Sequence, residues 1–187
     1  LKKTKRLKNC RVVLHQSISR AGKYIFFGEY GRNKKRKSVP VYRSSDEGQS
    51  WEEIFSFEPG KIKHVHGCYY DQFEQKIWVL TGDFHGENYM LSSDLNFKSV
   101  EWLGDGTQKW RAVNLFFNKD RVDWIMDSQL ENCYHYTLNR TTKKITQKSL
   151  FMGPVWYIKK FSDNIYLAIT AQERGEGVLD KKIHIYM

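Results

Sequence analysis

An all-β chain built from about four repeats of a four-stranded unit, a β-propeller architecture, is the fold that the sequence predicts. Three observations carry it. Apolar, β-branched and aromatic runs recur in the same order, and those beginning at Ile77, Val122 and Ile165 fall at spacings of 45 and 43 residues. The stretch Ser44-Ser45-Asp46-Glu47-Gly48-Gln49-Ser50-Trp51 joins Val39–Tyr42 to Ile54–Phe57, a hairpin signal. Aromatics make up 15% of the chain, which suits short strands, and no segment longer than ten residues carries helical periodicity. Two β-sandwich domains would explain neither the spacing nor the turn.

Approximate units run 10–58, 62–104, 108–150 and 153–187, forming one domain over 1–187. In the first, strands are expected at Arg11–Ile18 and Lys23–Tyr30, with a turn at Ser19–Gly22. A basic loop and the Ser44–Trp51 hairpin follow. Asp46 accepts N–H groups of its own turn, Gly48 allows positive φ, and Trp51 returns a ring to the sheet. The second unit reads His64–Tyr70, Lys76–Thr81, Asn88–Leu91 and Ser99–Trp102. Its last turn, Ser92-Ser93-Asp94-Leu95-Asn96, repeats the serine and aspartate, with Asn96 at the left-handed position. The third is expected at Trp110–Phe116, Arg121–Met126, Cys133–Leu138 and Lys144–Gln147. The fourth follows at Gly153–Ile158, Asn164–Ile169 and Lys182–Tyr186. The chain lacks an initiator Met and stops inside a strand-like run, so a piece of a larger propeller is expected. Its open edge strands would be covered by the remaining blades or by another copy.

Composition narrows the function classes. No run of 18 apolar residues exists, so no membrane span is expected. Residues 1–9 have charges but no apolar core behind them and do not form a signal peptide. Cys10, Cys68 and Cys133 are scattered and odd in number, neither a disulfide framework nor a zinc pattern. These two features lean the localisation toward the cytoplasm. The net charge of +10 resides in residues 1–9 and 32–37; removing those ten cations from 31 leaves 21, against 21 acids. Such runs are expected as solvated segments, and nucleic acid is not the expected partner, although a local patch can bind an anionic polymer.

Propeller topology places the Ser44–Trp51 turn on the opposite face from the loops that follow each second strand. Ser44, Asp46, Gly48 and Trp51 are therefore read as structural. The loops at 28–33, 81–88, 126–132 and 170–176 each carry an acid at their start, namely Glu29, Asp83, Asp127 and Glu173; Glu87 and Glu131 follow. Acids recurring at one rim can hold a cation, bind sugar hydroxyls or act as acid and base. They can equally cap loop N–H groups or pair with arginines. His64 and His66 share one strand face, and His-x-His can supply two metal ligands. No third ligand is assignable, so no metal and no cofactor is assigned. Arg111 could clamp an anion, and Trp156 could stack on a sugar or simply pack.

The pattern Ser-x-Asp-x-Gly-x-x-Trp resembles the Asp-box (BNR repeat) of sialidase-type β-propellers. Gly28-Glu29-Tyr30, Tyr42-Arg43-Ser44-Ser45-Asp46, His64-Val65-His66-Gly67, Ile77–Asp83, Trp110-Arg111-Ala112-Val113 and Gly153-Pro154-Val155 resemble an uncharacterised branch of that family. The resemblance spans roughly residues 24–175 and implies a structural role for the box. By association with polysaccharide biosynthesis it implies a carbohydrate or small polar ligand. True sialidases carry an arginine triad and a Phe-Arg-Ile-Pro phrase; that phrase is missing and Arg111 is the one plausible inner-strand arginine, so sialidase activity is not expected. The expected function is a glycan-binding or glycan-processing protein, enzyme or not being left open. His66, Asp83 and Asp127 are the candidate catalytic groups, and His64, Glu29, Glu87, Arg111, Glu131 and Trp156 the candidate ligand-binding groups. A non-enzymatic protein-interaction scaffold is the alternative.

Overall fold

The computed structural model describes residues 2–14, 16–162 and 165–187. Leu1 of the basic start, His15 of the strand expected at 11–18, and Asn164 of the strand expected at 164–169 lie outside them. The described residues form fifteen strands in four antiparallel sheets, with no α-helix among them. The chain divides into two compact units, Leu1–Trp110 and Arg111–Met187.

The first unit holds two sheets, each a meander in chain order. One contains β1 (Ser19–Ala21), β2 (Tyr24–Gly28), β3 (Val39–Ser44) and β4 (Glu52–Phe57). The other contains β5 (His64–Asp71), β6 (Lys76–Gly82), β7 (Met90–Ser93) and β8 (Val100–Trp102). Phe26, Val39, Val41, Phe57, Ile62, Val65, Cys68, Ile77, Val79 and Leu91 form one buried core. Each large side chain among them contributes roughly 1.5–3 kcal/mol of hydrophobic stabilisation. Backbone bonds dock β5 on the first sheet: Val65 N–H donates to Glu29 O at 2.9 Å and Cys68 N–H to Ser17 O at 3.0 Å.

The second unit repeats the meander with β9 (Phe116–Phe117), β10 (Arg121–Ile125), β11 (Cys133–Asn139) and β12 (Ile145–Phe151). A three-stranded sheet follows, of β13 (Val155–Ser162), β14 (Ile165–Thr170) and β15 (Ile185–Tyr186). Here Val155 N–H donates to Met126 O at 3.1 Å, the counterpart of the Val65–Glu29 bond. Second strands thus begin at Lys76, Arg121 and Ile165, close to the repeat read from the sequence.

Three local expectations change. The described residues of 11–18 make one bridge, Val12 to Tyr30, and the strand begins at Ser19, where a turn was expected. A buried carboxylate, Glu29, takes the N–H groups of Lys8, Asn9 and Cys10, so the approach to this stretch follows a side chain instead of a ladder. Residues 110–116 form no full strand: Gln108–Trp110 is a 3₁₀ turn and only Phe116–Phe117 pairs. Trp110 through Phe116 are buried at every position, without the alternation of a half-exposed strand. In the turn after β7 the left-handed residue is Phe97 (φ 52°), not Asn96. Asp94 there accepts from Asn96 N and Ser99 N at 2.7 and 2.8 Å, a wider loop than its counterpart.

The Ser44–Trp51 hairpin forms between β3 and β4 as expected. Asp46 Oδ1 accepts from Ser44 Oγ and Ser50 N, both at 2.8 Å, and Ser44 Oγ accepts from Gly48 N at 2.8 Å. Hydrogen bonds from Ser50 and Ser44 hold the Asp46 carboxyl at about 2, below its ordinary value. Trp51 packs edge-on against Phe27 at 4.7 Å. These bonds of Asp46 all lie inside the turn.

Candidate functional site

In the first unit, three of the sequence candidates meet at the end of the β5–β6 ladder. His64 pairs with Gly82, and the register slips between Val65 and Gly67, leaving His66 as the extra residue of a β-bulge. A bulge re-aims side chains. Here His66 Nε2 comes to 3.1 Å from His64 Nε2. Asp83, the first residue beyond β6, completes the group: its Oδ1 is 3.2 Å from His64 Nε2 and 3.0 Å from His66 Nε2. Gly82 makes the approach possible, because a Cβ there would lie 2.6 Å from the His66 ring. Lys63 holds the other carboxylate oxygen, Oδ2.

Both imidazoles are about 1% exposed. His64 Nδ1 lies 2.8 Å from Gly31 O and 3.2 Å from Gly31 N. The shorter contact needs a proton on Nδ1, which turns the Nε2 lone pair toward Asp83 and His66. Burial pushes the His64 pKa below the ordinary imidazole range against the opposing pull of Asp83. Burial alone would raise the Asp83 carboxyl, but the two imidazoles outweigh it and hold it well below the usual carboxylate range. Among the described residues these three form a group of side chains able to hold a metal ion.

Beside the cluster lies a basic groove of about 300 Å3, lined by Lys8, Arg11, Arg32, Lys34, Lys35 and Lys37 together with two asparagines. Glu29 builds it by gathering the backbone of Lys8, Asn9 and Cys10, and Asn9 Nδ2 donates to Ser38 O at 2.8 Å. Asn33 closes the loop through Lys37 O and Lys37 N at 2.9 and 3.0 Å. One cation of the first basic run, Lys8, with Arg11 just beyond it, therefore shares a surface with Arg32, Lys34, Lys35 and Lys37 of the second. The groove abuts the cluster through Gly31–Arg32, since Gly31 touches His64.

The other first-unit candidates are committed elsewhere. Glu29 is fully buried and also accepts from Tyr42 Oη at 3.0 Å, so its carboxylate serves the fold. Glu87 accepts from Arg36 Nε at 2.6 Å. Glu87 Oε2 is buried without a hydrogen-bond partner. In the second unit, Arg111, Asp127 and Trp156 come together: Trp156 Nε1 donates to Asp127 Oδ1 at 2.6 Å, and Arg111 Nε is 3.7 Å from Asp127 Oδ2. Arg111 Nη1 also donates to Gln129 Oε1 at 2.7 Å. Glu131 is exposed.

Two features escape a reading of the sequence. Lys63 precedes the His-x-His pair and looks there like one cation among many. Asp123 is buried in β10 beside His135, next to a cavity of about 210 Å3 lined by Phe116, Ile125, His135, Phe151, Tyr166 and Tyr186, among others. An aspartate in mid-strand between Val122 and Trp124 is the signal that could have found it.

Comparison with protein-family models gives no match, and comparison with curated protein sequences gives none either.

Proposed function

We propose that the chain is a glycan-binding or glycan-processing protein whose sheets are blades of a sialidase-like propeller, with its site at His64, His66 and Asp83 and in the adjoining basic groove. The observation that carries this reading is a His–His–Asp cluster with both histidines buried, linked through Gly31–Arg32 to a groove of six cationic side chains. An oxygen-rich ligand reaches the cluster at Asp83, its partly exposed member, and ligand acids meet lysines and arginines in the groove. The ligand class is therefore an acidic glycan, bearing carboxylate, sulfate or phosphate groups. The repeated meanders and the Ser44–Trp51 turn support the propeller reading.

A binding screen of the 187-residue chain against acidic and neutral polysaccharides tests it, together with hydrolase and lyase assays on any glycan bound. Acidic glycans are expected to bind, with affinity falling at least about tenfold in Arg32→Ala/Lys35→Ala. His66→Ala is expected to abolish any turnover. Binding of neutral and acidic glycans alike, or binding unchanged in both variants, would remove the site from consideration.

The interaction-scaffold reading has one observation in its favour. The three-stranded sheet exposes Trp156, Tyr157, Phe161, Ile165 and Ile185.

A further inference from the structure

We propose that His64 Nε2, His66 Nε2 and Asp83 Oδ1 are the protein ligands of a first-row divalent metal ion, with zinc the best match. The inference concerns the same side chains as the proposed glycan site but does not depend on any glycan.

The geometry comes first. The three atoms form a nearly equilateral triangle with edges of 3.0, 3.1 and 3.2 Å. Two ligands of a tetrahedral zinc ion, at bond lengths of about 2.0–2.1 Å, are separated by about 3.4 Å. An ion seated just off the plane of this triangle would therefore need its ligands to spread by only a few tenths of an ångström. Three protein ligands leave the fourth position for water or for a substrate oxygen.

The surroundings suit a metal as well. His64 Nδ1 contacts the Gly31 carbonyl at 2.8 Å, the outer partner that orients a ligating imidazole and presents Nε2 as a lone pair. Lys63 holds Asp83 Oδ2, which leaves Oδ1 as a monodentate donor. Two lone-pair nitrogens and a carboxylate oxygen at mutual hydrogen-bond distance repel unless a proton or a cation sits among them. A divalent ion satisfies all of them at once.

A separate observation points to the same spot. Asn88 is fully buried, and its Oδ1 has no hydrogen-bond partner. That oxygen lies 3.0 Å from where a Gly82 Cβ would stand, a point 2.9 Å from His66 Nε2. A buried, unpartnered acceptor thus borders the cluster, where a bound water could satisfy it. The nitrogen-rich set selects zinc, cobalt or nickel over magnesium and calcium.

The test uses the full chain, stripped with a chelator and titrated with cobalt(II) alone. One equivalent is expected to develop the visible absorption of a four-coordinate ion and to be displaced by zinc but not by magnesium. Asp83→Asn and His66→Gln, near-isosteric changes, are expected to lose the spectrum while keeping the far-ultraviolet circular dichroism of the parent. Gly82→Ala keeps all three ligands but pushes on the His66 ring, and is expected to weaken binding at least about tenfold. Featureless octahedral absorption with the parent protein, or an unchanged spectrum in Asp83→Asn and His66→Gln, would overturn the proposal. Because no glycan is present, either result leaves the glycan reading to its own test.

Discussion

Asp83 in the first unit, partly exposed, and Asp123 in the second, buried, both lie beside an imidazole, yet their surroundings differ in kind. Asp123 Oδ1 accepts from Thr137 Oγ1 at 2.7 Å and faces His135 Nε2 at 3.2 Å. Its Oδ2 accepts from Asn118 Nδ2 and Arg121 Nε, both at 2.9 Å. The Asn118 amide N–H and the Arg121 guanidinium can only donate and the Thr137 hydroxyl donates here, so Asp123 is satisfied whichever tautomer His135 adopts. Around Asp83 Oδ1 stand two imidazoles that also face each other, and their donor roles depend on where protons or cations sit. Burial beside a histidine therefore does not mark a site. What separates the two is whether the donors and acceptors balance.

The largest expected effect of breaking that contrast falls on the closed network. Asp123→Ala leaves Arg121, Asn118 and Thr137 without their shared acceptor, and is expected to cost about 3 kcal/mol in urea unfolding. Asp123→Asn sharpens the point through pH. Although burial acts to raise it, hydrogen bonds from His135 and Thr137 and the charge of Arg121 hold the Asp123 carboxyl below its ordinary value. Its stabilisation is therefore complete above the unfolded carboxyl value of about 3.9 and is lost as pH falls through the lower folded value. The stability gap between parent and Asp123→Asn is expected to close on acidification below about pH 4. A gap that stays constant down to the acid transition would contradict the network.

A smaller, local effect is expected at Glu29, which carries the N-terminal strip against the first sheet. Glu29→Ala removes a charged acceptor for three backbone N–H groups and should cost about 2 kcal/mol. Hydrogen exchange at Lys8–Cys10 should accelerate, with β6 unaffected. Unchanged protection there would deny Glu29 its clamping role. Smallest is the effect at Cys10. Burial, with Glu29 nearby, pushes its thiol up to about 12. Native protein at pH 8 should resist alkylation at Cys10, and rapid labelling would contradict its burial.

Much of this was legible in the chain, and the failures have physical causes. The repeat showed because a meander of half-buried strands must alternate and must turn, and both leave local marks such as Ser44–Trp51. His64, His66 and Asp83 each stand out in the sequence, but a bulge at His66 cannot be read from period-two alternation. Their contact through Asp83 Oδ1 therefore stayed hidden. The basic runs were legible as runs; that Lys8 comes beside the second depends on Glu29 capturing a segment 20 residues away, a long-range bond without a local signature. Glu29 itself looked like a rim acid because sequence cannot tell a carboxylate that faces solvent from one that caps backbone. At Trp110–Phe116 burial on every side removed the alternation on which strand reading relies.

Calorimetric titration of zinc(II) into the parent, Asp83→Asn and Asp123→Asn chains tests the contrast between the two clusters most directly. One equivalent is expected to bind the parent and Asp123→Asn alike, and to bind Asp83→Asn at least about tenfold more weakly. Equal affinity in all three chains, or weakening in Asp123→Asn alone, would contradict it.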